Sequence, residues 1–311
     1  MKKKILVFGG SGLVGRSLVR KLQSLNEFEI HSPTRNEVNL FSYYETKKLL
    51  EVLRPDYLIN AAAKVGGIVA NNTMGTDFLL ENLKINMNIL EASKDISKTE
   101  IINLGSSCIY PLGAKNPISE TEFMNGKLEP TNSPYAMAKI TAIELGRTIS
   151  KEYSKKIINL MPTNLYGPND NFSPLNSHVI PGLIYRMYNA KINKDKKFFI
   201  WGSGNPLREF LYVDDLSDSI IFIIKNRIKL DLLNIGSGEE VSIKNLAELV
   251  KDTIGYVGDL EFDASKPDGN PKKLLDSSMI NNLGWKSKTN LRDGLNLTYK
   301  WFLKNFENLR I

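Results

Sequence analysis

Ile5-Leu6-Val7-Phe8-Gly9-Gly10-Ser11-Gly12-Leu13-Val14-Gly15 is the stretch that decides the fold. Four consecutive apolar residues leave no polar face, so they suit a strand buried on both sides, as at the centre of a parallel sheet. Glycines at 9, 12 and 15 follow at once. A tight turn, a close approach of backbone to a pyrophosphate, and close packing of helix on strand each favour a residue without a side chain. Helical spacing then runs over 13–25, so a helix amino end offers free N–H groups and a positive dipole end above the glycines. Strand before and helix after turn a weak motif into a dinucleotide site. Gly9, Gly10, Ser11, Gly12, Leu13, Val14 and Gly15 are its expected contacts.

Outward from this unit the alternation continues. A weak strand is expected at 29–31, a helix over 43–53, a strand over 57–60 and a helix over 78–93. A strand over 101–105, a helix over 134–153 and a strand over 157–161 follow. Strands separated by helices of ten or more residues predict parallel βαβ units and an α/β, Rossmann-type doubly wound sheet. After Tyr166-Gly167-Pro168 the texture changes, and 169–178, rich in Asn, Pro and Ser, reads as a substrate-facing loop. A helix over 179–190 and a strand over 198–201 come next. The segments 209–213, 214–225 and 232–236 are expected to rejoin the main sheet. A helix over 243–254, a loop over 264–271 and a helix over 291–306 close the chain. The expected division is a nucleotide domain over 1–165, joined by 209–237, and a smaller α/β substrate domain from the rest of 166–311.

Composition narrows the class. The 311 residues are 42% hydrophobic and 24% charged, ordinary for a globular enzyme. No apolar run approaches the roughly 20 residues that cross a bilayer. Met1-Lys2-Lys3-Lys4 before the first strand imitates a signal peptide, but its apolar part is too short, so a cytoplasmic protein without membrane association is expected. A single cysteine cannot form an internal disulfide and leaves Cys108 as a free thiol. The net charge of +7 comes without a basic run or an RNA-binding signature; phosphorylated small molecules explain it equally well, solvated lysines account for most of it, and no nucleic-acid partner is expected. Two histidines and one cysteine supply no metal-ligand spacing.

Chemistry-bearing residues collect at the strand ends. NAD sites usually place a carboxylate at the end of the second strand to accept from the adenosine ribose. Here His31-Ser32-Pro33-Thr34-Arg35 stands there, and a serine with Arg35 suits a 2′-phosphate, favouring NADP(H). Tyr135 and Lys139 lie one helical turn apart and share a face. The lysine ammonium is expected to lower the phenol from its reference of about 10. With Ser106 as a further donor, that pair suffices to reduce a ketone. Cys108 and His178 add a thiol and an imidazole, groups suited to moving carbon-bound protons.

Long motifs extend these points: Ala62-Ala63-Lys64-Val65-Gly66-Gly67-Ile68, Gly105-Ser106-Ser107-Cys108-Ile109-Tyr110-Pro111, and 129–139 with its Ser133-Pro134-Tyr135-Ala136-Met137-Ala138-Lys139. Pro162-Thr163-Asn164-Leu165-Tyr166-Gly167-Pro168, Asn176-Ser177-His178-Val179-Ile180-Pro181 and Trp201-Gly202-Ser203-Gly204 continue the series. On these runs nearly the whole chain resembles the extended short-chain dehydrogenase/reductase family, in its branch acting on GDP-linked 4-keto sugars. The resemblance implies NADPH-dependent epimerisation at carbons 3 and 5 and reduction at carbon 4 of GDP-4-keto-6-deoxy-D-mannose, giving GDP-L-fucose. Cys108 and His178 are then the base and acid pair. Tyr135 protonates the carbon 4 oxygen, Lys139 also holds the nicotinamide ribose, and Ser106 and Ser107 polarise the ketone. Further implied cofactor contacts are Asn39, Leu40, Ala62, Ala63, Lys64, Pro162, Thr163, Asn164, Leu165 and His178. Implied substrate contacts are Ser107, Cys108, Asn164, Val179, Arg186, Trp201, Arg208, Lys266 and Asp276. The family also implies a homodimer built on the helices around 78–93 and 136–153. The chain departs from familiar members at Ser11 and at Ser32-Pro33, where they carry more basic residues, which loosens the cofactor reading. Two alternatives stay open: epimerisation or plain reduction of a related GDP-4-keto sugar such as a heptose, and a non-catalytic binding protein on the same fold, against which Ser106, Tyr135 and Lys139 argue.

Overall fold

The computed structural model describes residues 2–96, 98–174, 176–265 and 268–309. Its main sheet holds β1 (Lys3–Phe8), β2 (Phe28–His31), β3 (Tyr57–Asn60), β4 (Glu100–Leu104) and β5 (Ile157–Pro162). β9 (Leu232–Ile235) completes it, in the all-parallel order β2-β1-β3-β4-β5-β9. Helices α1 (Leu13–Leu25) and α7 (Val213–Asn226) cover one face, and α2 (Tyr43–Leu53), α4 (Gly75–Ser93) and α5 (Ser133–Tyr153) the other. The strand alternation of side chains explains the unbroken apolar run in β1. Ile5 and Val7 enter the core under α1 and α7, while Leu6 and Phe8 enter the core under α2, α4 and α5. Each such burial stabilises by about 1.5–3 kcal/mol.

A second region gathers around another core, which includes Phe172, Met187, Leu246, Leu295 and Phe302. Its helices are α6 (Val179–Asn193), α8 (Ile243–Ile254) and α10 (Leu291–Lys304). Its strands are β6 (Asn164–Tyr166), β7 (Lys197–Trp201), β8 (Leu207–Tyr212), β10 (Glu240–Ser242), β11 (Asp259–Asp263) and β12 (Lys272–Lys273). β7 pairs with β11, whereas β8 stands between β10 and β12 and pairs also with β6. The segment 209–213 was expected in the main sheet, and there the structure differs. β9 occupies the open edge of β5, and β8 pairs with β6 instead. Leu211 still enters the main core while Phe210 and Tyr212 enter the second, so β8 is the seam between them. The short helices α3 (Ile68–Thr73) and α9 (Ser278–Asn282) stand in stretches to which the sequence assigned no element. Among the described residues no helix is long and apolar enough to cross a membrane, and no group of His, Cys, Asp and Glu could hold a metal ion.

Candidate active site

The glycine loop fits an anion. Gly9 has φ +80°, and a Cβ there would stand 2.6 Å from the Ala61 carbonyl, so a side chain is excluded on both counts. Gly12 caps α1 without a side-chain hydrogen bond, and the first turn holds no acidic residue. The leading N–H groups at Leu13, Val14 and Gly15 are therefore left for a diphosphate. Ser11 precedes them as an exposed residue whose carbonyl accepts from Arg16 at 3.0 Å. Ser32 packs against Gly10, its hydroxyl donating to the Val7 carbonyl at 3.3 Å. Arg35 is exposed, with no ion pair among the described residues. The nearby Glu37 accepts from the Thr34 N–H and hydroxyl at 2.7 and 2.8 Å, and these bonds hold its carboxyl below the usual range. A cation thus stands alone beyond β2, as a 2′-phosphate requires.

Other expected cofactor residues line the same strand ends. Asn39 accepts from the Phe41 N–H at 3.0 Å, and the Leu40 carbonyl accepts from Asn88 at 2.8 Å. The Ala62 N–H donates to Asn60 at 3.2 Å, and Ala63 leads on to Lys64, whose ammonium meets Glu81 at 2.6 Å and Asp77 at 3.4 Å. Pro162 ends β5. Thr163 and Asn164 then both donate to the Glu209 carbonyl, at 3.2 and 2.9 Å, and Leu165 packs on the main core.

Beyond β4 the backbone turns through Gly105 into a one-turn helix at Ser107–Ile109. Ser106 caps it, its hydroxyl accepting from the Cys108 N–H at 3.2 Å, and the same hydroxyl meets the Tyr135 phenol. Ser107 is buried and Cys108 half-buried. Tyr135 and Lys139 occupy α5, and the Lys139 ammonium, 2% exposed, donates to the Leu104 carbonyl at 2.7 Å. The expected lowering of the phenol by Lys139 is not found. Burial and the facing Cys108 push Tyr135 well above its ordinary value, against a smaller downward pull from Ser106. Burial also lowers Lys139 to about 8, and its ammonium stands 5.8 Å from the Tyr135 ring centroid, directed to backbone. Desolvation outweighs the cation here, and the phenol is held as a protonated acid.

His178 stands at the amino end of α6 but makes no capping hydrogen bond through its side chain. The residue as a whole is exposed at the surface, yet protein is packed around the imidazole. That enclosure lowers its pKa, opposed by a hydrogen bond to the Gly66 backbone. At neutral pH the imidazole rests uncharged. The Gly67 N–H donates to the Asn176 carbonyl at 3.0 Å, tying this loop to α3. Gly66 abuts Phe78, whose ring meets Tyr135 edge-on at 6.3 Å. Gly66 and Phe78 thus link His178 to Tyr135.

Toward the second core, Val179 begins α6, and Arg186 stacks on Phe198 and Trp201 at 5.3 and 5.2 Å. Trp201 is 40% exposed, leaving ring surface for a planar or sugar group. Arg208 donates to the carbonyls of Leu207 and Asp268 at 2.8 and 3.3 Å, and Cys108 lies within its electrostatic reach. Burial lowers both arginines from their ordinary value. Asp276 sits apart from these arginines: its carboxylate accepts from the Ser278 N–H at 2.9 Å at the head of α9, on the side of Glu120. Lys266 lies outside the described residues.

Two residues of this neighbourhood gave no signal in the sequence. Asp268 receives the Ser203 N–H and hydroxyl at 2.7 and 2.8 Å and offers its carbonyl to Arg208. Lys273 points its ammonium at the Cys108 sulfur from 3.5 Å. A Lys-Lys pair in a loop-like stretch reads as solvated charge, and only the pairing of β12 with β8 turns one of the two inward.

The model of the NAD dependent epimerase/dehydratase family matches residues 5–236. GDP-L-fucose synthase 1 of Arabidopsis thaliana is 47% identical, over 98% of this chain and 94% of its own length. GDP-L-fucose synthase of Escherichia coli (strain K12) is 42% identical over 99% of each. Among solved structures, a GDP-L-fucose synthetase from Naegleria fowleri bound to NADP superposes with a TM-score of 0.90 and 29% identity, covering 100% of this chain and 97% of the other. A GDP-6-OMe-4-keto-L-xylo-heptose reductase from C. jejuni gives 0.91 and 31%, covering 98% of each.

Proposed function

The chain belongs to the NAD dependent epimerase/dehydratase family, and on that footing we propose that it is an NADP(H)-dependent epimerase/reductase. It inverts carbons 3 and 5 of GDP-4-keto-6-deoxy-D-mannose and reduces carbon 4, giving GDP-L-fucose. The observation that carries this reading is the contact of two kinds of proton-handling group at one strand end. Ser106 and Tyr135, a reductase's donors, meet each other, and Cys108 faces Tyr135. Full-length likeness to proteins named GDP-L-fucose synthase supplies the sugar.

In this reading Gly9 to Gly15 hold the diphosphate of the cofactor, Arg35 its 2′-phosphate, and the loops after β3 and β5 its nicotinamide half. Bound NADPH supplies the hydride that reaches carbon 4. The residues of the chain do the rest. Ser106 and Ser107 donate to the ketone oxygen, which makes the protons on carbons 3 and 5 acidic and steadies the enolate left when one departs. Cys108 and His178 remove and return those protons. Being exposed at the surface, His178 can reload from water between transfers. Tyr135, protonated through burial, then delivers its proton to the carbon 4 oxygen, and Lys139 holds the ribose beside it. Arg186, Trp201 and Arg208, in the substrate half of the chain, bind the GDP portion.

A cytoplasmic homodimer completes the proposal. Leu80 and Met87, one heptad apart on α4, and Met137 on α5 are all more than 40% exposed, an apolar surface suited to a second copy. The likeness to a heptose reductase favours one second reading, a different GDP-4-keto sugar or a reductase alone. Incubation with GDP-4-keto-6-deoxy-D-mannose and NADPH in deuterated water tests these. Deuterium at carbons 3 and 5 with NADPH oxidation is expected. Oxidation without deuterium means a plain reductase, and absence of turnover means another sugar.

A further inference from the structure

We propose that Lys273 is a positioning residue for Cys108, holding its sulfur as a thiolate ready to take a proton. The inference rests on the reading of Cys108 as a proton-transfer group. Lys273 and Cys108 are 165 residues apart in sequence, yet the ammonium nitrogen is 3.5 Å from the sulfur. A three-proton donor beside a sulfur favours the anion by charge and by hydrogen bond together.

The rest of the neighbourhood fixes that ammonium in place. Successive residues of a strand point to opposite sides. Lys272 accordingly reaches Glu240 at 2.9 Å, while Lys273, turned the other way, forms no ion pair with a carboxylate among the described residues. Register pairs Lys273 with Arg208, so two cations stand side by side toward Cys108. The backbone just after Lys273 is held at three points. The Leu274 N–H donates to Asn116 at 2.8 Å, the Leu275 N–H donates to Glu209 at 3.1 Å, and the Leu274 carbonyl accepts from the Ile118 N–H at 2.8 Å. On the sulfur's own side, the Cys108 N–H is tied to Ser106. Among the described residues, the charged or titratable groups that meet the sulfur are thus Lys273 from β12, Arg208 from β8 and Tyr135 from α5. Two are cations, and the third is a neutral phenol. Arg208 is occupied with backbone carbonyls, which leaves Lys273 as the hydrogen-bond donor. In the step itself the proton passes from carbon to sulfur and the electron pair of the C–H bond stays on the sugar as the enolate. Lys273 keeps its own protons throughout.

Cys108 is the only cysteine, so alkylation reports on it alone. The test is the rate of iodoacetamide alkylation across pH for the full chain without substrate or cofactor, beside Lys273→Met, Lys273→Arg and Lys272→Met. At neutral pH Lys273→Met should react about tenfold more slowly, the loss expected for one charged hydrogen bond. The difference should close at high pH, where both proteins carry the thiolate. Lys273→Arg should restore most of the rate, and Lys272→Met should match the parent, showing that loss of a strand-12 charge alone is not the cause. Superimposable profiles for Lys273→Met and the parent would overturn the proposal. So would an equal slowing in Lys272→Met. A profile that shifts as expected in a protein that exchanges no substrate protons would leave the Lys273–Cys108 pairing standing and remove the epimerase reading beneath it.

Discussion

The two sides of the cleft set their charges by different means. Around Tyr135 and Lys139 burial decides: it raises the phenol and lowers the ammonium, and both groups sit one turn apart on a single helix. Around Cys108 the charges come from contact between distant segments, with Lys273 and Arg208 arriving from β12 and β8. His178 arrives from a third element, the head of α6. The first side is buried and local, suited to giving a proton to one fixed oxygen. The second is half-open and assembled from several loops, suited to protons that must come from two carbons and exchange with water. On the proposed function the first is the reductase unit and the second the epimerase unit, and the two can be damaged separately.

The largest expected effect is on the local side. Tyr135→Phe removes the acid and should slow NADPH oxidation about a thousandfold, in the range typical for general acid catalysis, while the fold and cofactor affinity persist. Cys108→Ser tests the other side. Its hydroxyl is far harder to ionise, so deuterium entry at carbons 3 and 5 should fall about a hundredfold, as mass spectrometry of the product would register. A smaller change is expected at the cofactor. Arg35→Ala should weaken NADPH about tenfold while leaving NADH unaltered, measured by fluorescence titration, because on the proposed reading the guanidinium holds the 2′-phosphate that NADH lacks. The smallest effect is on pH dependence, and it separates the two sides again. Lys139 is charged below about 8 and neutral above it, so the reduction rate should decline as pH rises through that value, Tyr135 staying protonated throughout. His178, lowered from its ordinary value, loses its proton on the acid side of neutrality. Proton return should therefore slow in that earlier window, where reduction is still unimpaired. A shared pH profile would break the comparison.

The same contrast explains what could be read from the sequence. β1, the glycine loop and α1 were legible because an unbroken apolar run, spaced glycines and a 3.6-residue period each point to one local structure. Tyr135 and Lys139 were legible for a similar reason, since helix geometry alone places them together. The start of α4 at Gly75 was read three residues late, because Met74 and Gly75 supply no side-chain cap to mark it. β6, β10 and β12 were missed because two or three residues carry no periodicity; β8 makes them strands. Lys273 was invisible for that reason. Its partner is chosen by the register of a two-residue strand. The lowering of Tyr135 by Lys139 failed because spacing gives proximity but not desolvation, and in this site desolvation is the larger effect.

The separability of the two units is tested most directly by Tyr135→Phe incubated with GDP-4-keto-6-deoxy-D-mannose and NADPH in deuterated water. Deuterium should enter carbons 3 and 5 of the recovered 4-keto sugar while NADPH stays unconsumed. A variant that consumes no NADPH and also takes up no deuterium would contradict the account, since Tyr135 would then belong to both units and the cleft would be a single machine.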